Sequence, residues 1–269
     1  DVCAPRLRVV DAIERAVRSK RFVYVSAPAG SGKSVSALLW LRHAKLPAVW
    51  IGLDRFDDVP SVFYRQLALG LFSTQPGNVA MRAVLADPAL SPVEHTVRLL
   101  SETLPLERRY VLVLDDAHLI QNREIVKSLP AVLKRLPRAF GVLVLSRAEL
   151  PGEWKTLGSD GPAVLDAIDL RFTADEVRGY FDALGRFLTP DETRRVHEAT
   201  EGWAIGVAAL AKSDHATRGD SGTLFASFFE EQVWSIWDEG RRGFCLATSV
   251  ADQFDPALAE LLSGREDAR

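Results

Sequence analysis

Residues 22–34 read FVYVSAPAGSGKS, a short apolar run that breaks into a small-residue loop ending in Gly32-Lys33-Ser34. The run from Phe22 to Val25 has the composition of a buried strand. The loop from Ala27 to Gly32 carries no bulky side chain, so its backbone can come close to a polyphosphate. From Lys33 onward the pattern is helical. A helix N-terminus offers an anion unpaired N–H groups and the positive end of the helix dipole. In that setting Lys33 is placed to reach β- and γ-phosphate oxygens, and the Ser34 hydroxyl to hold Mg²⁺.

Gly-Lys-Ser alone is common by chance, and the full pattern wants Gly at position 27, where this chain has Ala27. Context strengthens the reading, because the loop follows a strand-like run and precedes a helix, as the motif requires. Further along, residues 110–118 read YVLVLDDAH, an apolar run ending in two aspartates. An aspartate at the carboxyl end of a buried strand is where nucleoside triphosphatases hold Mg²⁺. The plainer alternatives are a solvated helix-start lysine for Lys33 and a strand-end turn pair for Asp115 and Asp116. His118 reads as a strand-end packing residue rather than a catalytic one.

The length of 269 residues suits a nucleotide-binding domain with a smaller appendage, and 47% hydrophobic residues are enough for a real core. A net charge of −3 with no strong basic block makes the chain a poor candidate for gripping DNA through its own surface. Cys3 and Cys245 lie far apart and fit no metal spacing, and the simple expectation is a reducing cytoplasm. No apolar run approaches the roughly 18 residues of a membrane span, and no signal peptide is visible. The sequence opens on Asp1 rather than Met, which reads as a processed or expressed fragment.

Outward from the loop, strand-like and helical patterns alternate. Helix is expected over 7–17, 34–43, 61–72, 93–104 and 124–136, the last with Pro130 inside it. Strand is expected over 22–26, 48–53, 110–114, 141–145 and 163–170. Such alternation argues for a parallel sheet with helices on both faces. Ligands of such sheets sit at the carboxyl ends of the strands, where both Lys33 and Asp115 fall. After Leu170 the pattern is helical only. Thr173-Ala-Asp-Glu176 is a capping box. Helices are expected over 190–200 and 203–212, a polar loop over 213–222, a long helix over 224–238, and shorter helices over 242–249 and 256–263.

Several segments become recognisable together: APAGSGKS, LVLDDAHLI, LVLSRAELP, LRFTADEV, ATEGWAIGVAALA and LATSVADQFDPALAELLSG, in this order. As a set they resemble the large ATP-binding regulators of the LuxR family, signal-transduction ATPases with numerous domains of the maltose-regulon-activator type. The resemblance runs from Pro5 to Gly264. It implies a P-loop NTPase α/β domain over 1–170, a helical arm over 171–222 and the start of a winged-helix domain over 223–269. It further implies a cytoplasmic switch that binds ATP or ADP with Mg²⁺, rests closed with ADP, and opens to self-associate with ATP and an inducer. DNA would be reached through a C-terminal helix-turn-helix outside this chain, and hydrolysis would be slow.

Carried over residue by residue, the resemblance has Ala29, Gly30, Ser31, Gly32 and Lys33 wrap the phosphates. Ser34 and Asp115 hold Mg²⁺, and Asp116 positions the attacking water. Arg147 matches the family's γ-phosphate sensor. Trp203 falls in a Gly202-Trp203-Ala204 segment where related switches carry Gly-x-Pro against the nucleotide; here Ala204 replaces the proline. Arg6 borders the adenine in this reading. Two rivals remain: a turnover ATPase or small-molecule kinase, and a non-catalytic module with a relic loop.

Overall fold

The computed structural model describes residues 6–102, 108–212, 230, 234, 237–251 and 255–264. Its centre is a parallel sheet of β1 (Phe22–Ser26), β2 (Ala48–Gly52), β3 (Tyr110–Asp115), β4 (Phe140–Ser146) and β5 (Ala163–Leu165), in the order β2-β3-β4-β1-β5. β1 pairs with β4 on one side and with β5 on the other, in registers that set Val23 beside Leu143 and Ala163.

The near-continuous apolar runs follow from burial on both faces. Successive side chains of a strand point to opposite faces. Val23, Val25, Val111, Val113, Leu143 and Leu145 therefore pack on one side, against α1 (Leu7–Ser19) and α2 (Lys33–Ala44). Tyr24, Leu112, Leu114, Val142 and Val144 pack on the other. Their partners there include Phe63, Tyr64 and Leu67 of α3 (Pro60–Phe72) and Ile125, Leu129 and Leu133 of α6 (Arg123–Lys134). α6 runs without interruption through Pro130.

Two helices intervene before β3. α4 (Val79–Ala86) lies between the helices expected over 61–72 and 93–104. Asn78 caps it, its side chain accepting from the Met81 N–H at 3.1 Å. α5 (Pro92–Ser101) opens on the Ser91–Glu94 capping box. The end expected for it at 104 lies outside the described residues.

The strand expected over 163–170 is corrected. β5 stops at Leu165, and Ala167–Leu170 forms a short helix, α7. The reason is local: the Asp166 carboxylate accepts from the Ile168 and Asp169 N–H groups, while Asp169 accepts from the Asp166 N–H. This reciprocal cap starts a helical turn where the apolar residues alone suggested continued strand.

From Phe172 the chain builds a separate small core. α8 (Ala174–Ala183), α9 (Pro190–Thr200) and α10 (Ala204–Lys212) bury Phe172, Val177, Phe181, Val196, Val207 and Leu210 together. Capping boxes at Thr173–Glu176 and Thr189–Glu192 start the first two. The helix expected over 224–238 lies almost wholly outside the described residues. Beyond it stand α11 (Glu239–Thr248), begun by Asp238 a few residues earlier than expected, and α12 (Pro256–Ser263). Among the described residues, no helix is long and apolar enough to cross a membrane.

Candidate nucleotide site

The loop after β1 lies at the carboxyl edge of the sheet. The Ala27 N–H donates to the Ser146 carbonyl at 3.1 Å, which anchors the loop's start to the end of β4. Gly30 and Gly32 both take positive φ, +73° and +82°. Gly32 is the residue before the first turn of α2, and this left-handed conformation is open to glycine at little cost. The loop thus wraps around the N-terminus of a twelve-residue helix.

Lys33 is buried, and its Nζ donates to the Ala27 and Pro28 carbonyls at 2.6 and 2.9 Å. Burial lowers its pKa, and the positive charge of Arg147 pushes the same way; Asp116 and Asp115 oppose both. An added anion beside this ammonium would relieve the strain on its charge.

β3 delivers Asp115 to the same edge, 9% exposed, with one carboxylate oxygen accepting from the Asp116 N–H at 3.0 Å. Asp116 sits in the left-handed region at φ 54°. Its Oδ1 lies 3.8 Å from His118 Nδ1 and 4.0 Å from Arg147 Nε. Lys33, Asp115, Asp116 and Arg147 therefore come together from three strand ends. His118 joins them, although the sequence reading treated it as packing.

The donor set fits a nucleoside polyphosphate with Mg²⁺. A hydroxyl at Ser34 and one carboxylate at Asp115 suit a metal that keeps several waters and takes phosphate oxygens as further ligands. Among the described residues no group of three or more His, Cys, Asp or Glu forms a dedicated metal cage.

The helical arm reaches this loop directly. The Trp203 Nε1–H donates to the Ala29 carbonyl at 3.1 Å, and the Ile205 N–H to the Gly30 carbonyl at 3.0 Å. A Cβ on Gly30 would stand 2.6 Å from Ile205 Cγ2, and one on Gly32 would stand 3.4 Å from the Ala204 Cβ. Beside this contact opens a cavity of about 340 Å³, lined by Pro28, Ser31, Leu170, Thr200, Trp203 and Ala204 among others. Gly202, at φ +73°, makes the approach possible. Its carbonyl accepts from the Phe172 N–H at 2.8 Å, and a Cβ there would stand 2.3 Å from the Phe172 carbonyl oxygen. Ile205 was not singled out from the sequence, and its position next to the Gly-Trp-Ala segment was the available signal.

Arg6 is placed as a joint. It is 4% exposed, donates to the Leu170 carbonyl at 2.5 Å, lies 4.0 Å over the Phe172 ring and pairs with Glu176 at 3.7 Å. Arg8 reaches the same carboxylate at 3.2 Å and also bonds the Asp169 and Arg171 carbonyls. Arg6 does not line the cavity, and its Nη1 stands 3.8 Å from where a Gly32 Cβ would stand.

No protein-family model matches the chain. Among curated proteins it is 27% identical, over 98% of its length, to the HTH-type transcriptional regulator MalT of Vibrio campbellii, and 26% identical to that of Vibrio cholerae. It spans about a third of the length of these relatives, 31% in each case. Among solved structures, the Walker-type ATPase of Pyrococcus abyssi superposes with a TM-score of 0.58 at 11% identity, covering 93% of this chain and 80% of that one. That likeness concerns the fold. The chain has the P-loop NTPase fold, and over almost its whole length it is similar to HTH-type transcriptional regulators of the MalT type.

Proposed function

We propose that the chain is the ATP- and ADP-binding switch module of a transcriptional regulator, with slow ATP hydrolysis resetting it. The observation that carries this reading is the seat of the arm on the phosphate loop, through Trp203 to Ala29 and Ile205 to Gly30. A turnover enzyme needs open access for an acceptor, whereas a switch needs a second body that feels what the loop holds. The division into 1–170, 171–222 and 223–269 belongs to the same proposal. So do self-association with ATP and inducer in the whole regulator, and DNA contact through a helix-turn-helix elsewhere in it.

In this reading Ala29 to Lys33 cradle the phosphates through backbone N–H groups and the Lys33 ammonium. Ser34 and Asp115 would hold Mg²⁺, which when bound neutralises charge on the β- and γ-phosphates. Asp116 accepts a hydrogen bond from a water aimed at the γ-phosphorus. The water oxygen bonds to phosphorus as the bridging oxygen leaves with ADP, and the released proton passes to phosphate. Arg147 is half-exposed and 4.0 Å from Asp116, so it is free to turn toward a γ-phosphate with charge-assisted hydrogen bonds.

A ligand shifts a two-state equilibrium only by its differential affinity for the two states. Arg147→Ala is therefore expected to weaken ATP binding about tenfold, roughly one charged hydrogen bond, while ADP affinity changes little. Parallel titrations with ADP and a non-hydrolysable ATP analogue measure this. Equal losses for both would remove Arg147 as a sensor. Turnover per second rather than per hour in the purified protein would favour the enzyme reading over the switch.

A further inference from the structure

We infer that His118 is a positioning residue for hydrolysis at this site, holding the Asp116 carboxylate toward the water once Arg147 has turned to the γ-phosphate. The inference rests on the hydrolytic reading above and adds a residue to it. It starts from one oxygen, Asp116 Oδ1, which has two nitrogen neighbours, His118 Nδ1 at 3.8 Å and Arg147 Nε at 4.0 Å.

The two neighbours differ in freedom. The Arg147 side chain is 52% exposed and that of His118 17%. An arriving γ-phosphate, with more charge than a carboxylate, would draw the exposed guanidinium away. The imidazole is less able to follow, because it is mostly buried on the short helical turn Ala117–Leu119 that follows Asp116. Asp116 would then keep His118 as its partner.

The imidazole is also short of a partner. His118 Nδ1 is fully buried and makes no hydrogen bond among the described residues. A buried polar nitrogen left unbonded costs free energy, so such groups commonly mark a function or a change of state. Burial lowers the His118 pKa, and Arg147 and Lys33 push it down further, against the opposing pull of Asp116 and Asp115. The ring is therefore held toward its neutral form, with a single N–H to place. On Nδ1, that hydrogen faces Asp116.

At 3.8 Å the contact is too long for a hydrogen bond. Catalytic hydrogen bonds are often long without substrate and tighten in the reacting complex. The left-handed backbone of Asp116 suits that role. A non-glycine residue is held there only when its surroundings determine it, and such residues gather at functional sites. The plain packing role for His118 accounts for its burial and leaves the facing of Nδ1 toward Asp116 unexplained.

The test uses three variants of the whole chain, His118→Ala, His118→Asn and His118→Gln. Each is measured for ADP affinity, for affinity to ADP with aluminium fluoride as a transition-state mimic, and for ATP turnover. The expected result for His118→Ala is a loss on the order of tenfold in turnover and in affinity for the mimic, the worth of one hydrogen bond to a carboxylate, with ADP affinity unchanged. His118→Asn, whose amide can put a donor where Nδ1 stands, should recover most of it. His118→Gln, whose amide reaches toward the Nε2 position, should not.

Unchanged turnover in His118→Ala overturns the assignment and leaves the hydrolytic reading standing. A parallel fall in ADP affinity, unrescued by Asn, makes His118 structural and also overturns it. Wild-type protein that binds ADP yet neither turns over ATP nor takes up the mimic overturns both.

Discussion

The sheet and the arm hold their shapes in different ways. Every residue of β4 is buried, as are Phe22 to Val25 of β1, and helices cover both faces. The arm buries a short list from Phe172 to Ala211, and its helix α9 is mostly polar outside Thr193, Val196 and Thr200. The sheet's half of the site is therefore fixed by a large core. The arm's half is fastened by a few nameable contacts, Arg6 and Arg8 to Glu176 and Trp203 and Ile205 to the loop, with Phe172 to Gly202 tying the arm within itself. Elements with little buried apolar area and a few exposed hydrogen bonds open first. The part able to move is thus the part that touches the phosphate loop from outside.

The largest expected effect falls on the sheet's side. Lys33→Ala should weaken ADP and ATP binding on the order of a hundredfold, since charged hydrogen bonds to phosphate are lost. Neither core contains the Lys33 side chain, so the thermal transition of the unliganded protein should barely move. Unchanged affinity by calorimetry would break the comparison at its root, because the loop would not be the nucleotide's anchor.

Next comes the arm's fastening. Gly202→Ala puts a Cβ 2.3 Å from the Phe172 carbonyl oxygen at a φ of +73°. A cost of at least about 2 kcal/mol is expected, concentrated in the arm. Limited proteolysis should then cut after residue 171 while the sheet remains resistant. Loss of both regions in a single transition would mean that they are one cooperative unit.

The smallest effect tests one bond of the seat. Trp203→Phe keeps the ring and removes the donor to Ala29, 3.1 Å away. About 0.5–1.5 kcal/mol of arm docking should go, read as faster amide exchange in α10 with the sheet's protection unchanged. Equal exchange in the two proteins would assign the docking to Ile205 instead.

The local physics of this chain was open to reading from the residues. Apolar runs located all five strand positions, and the loop from Ala27 to Lys33 and the aspartates after β3 fell at one sheet edge as their motifs require. The misses have physical causes. Ala163–Leu170 looked like strand because Asp166 and Asp169 act as a cap only when seen as a pair. The part Arg6 plays as a joint was hidden because nothing near it in sequence reveals the Phe172 ring or Glu176. The seat of the arm joins Trp203 to Ala29 across 174 residues, a separation no local pattern encodes. The facing of His118 toward Asp116 was hidden for a related reason: spacing shows that it follows Asp116, not which nitrogen faces it.

The placement of β1 between β4 and β5 bears on how the chain is made. β1 emerges before every other strand of the sheet, yet its neighbours are β4 and β5, and Arg21 beside it bonds the Phe140 carbonyl 119 residues later. At ribosomal speeds of about 5–20 residues per second, that strand waits on the order of ten seconds with both edges unpaired. During the wait the phosphate loop has no sheet edge to rest on, so nucleotide cannot act as a folding ligand until β4 arrives. The newborn chain is then most exposed to chaperones and to mispairing while this apolar strand has no neighbour.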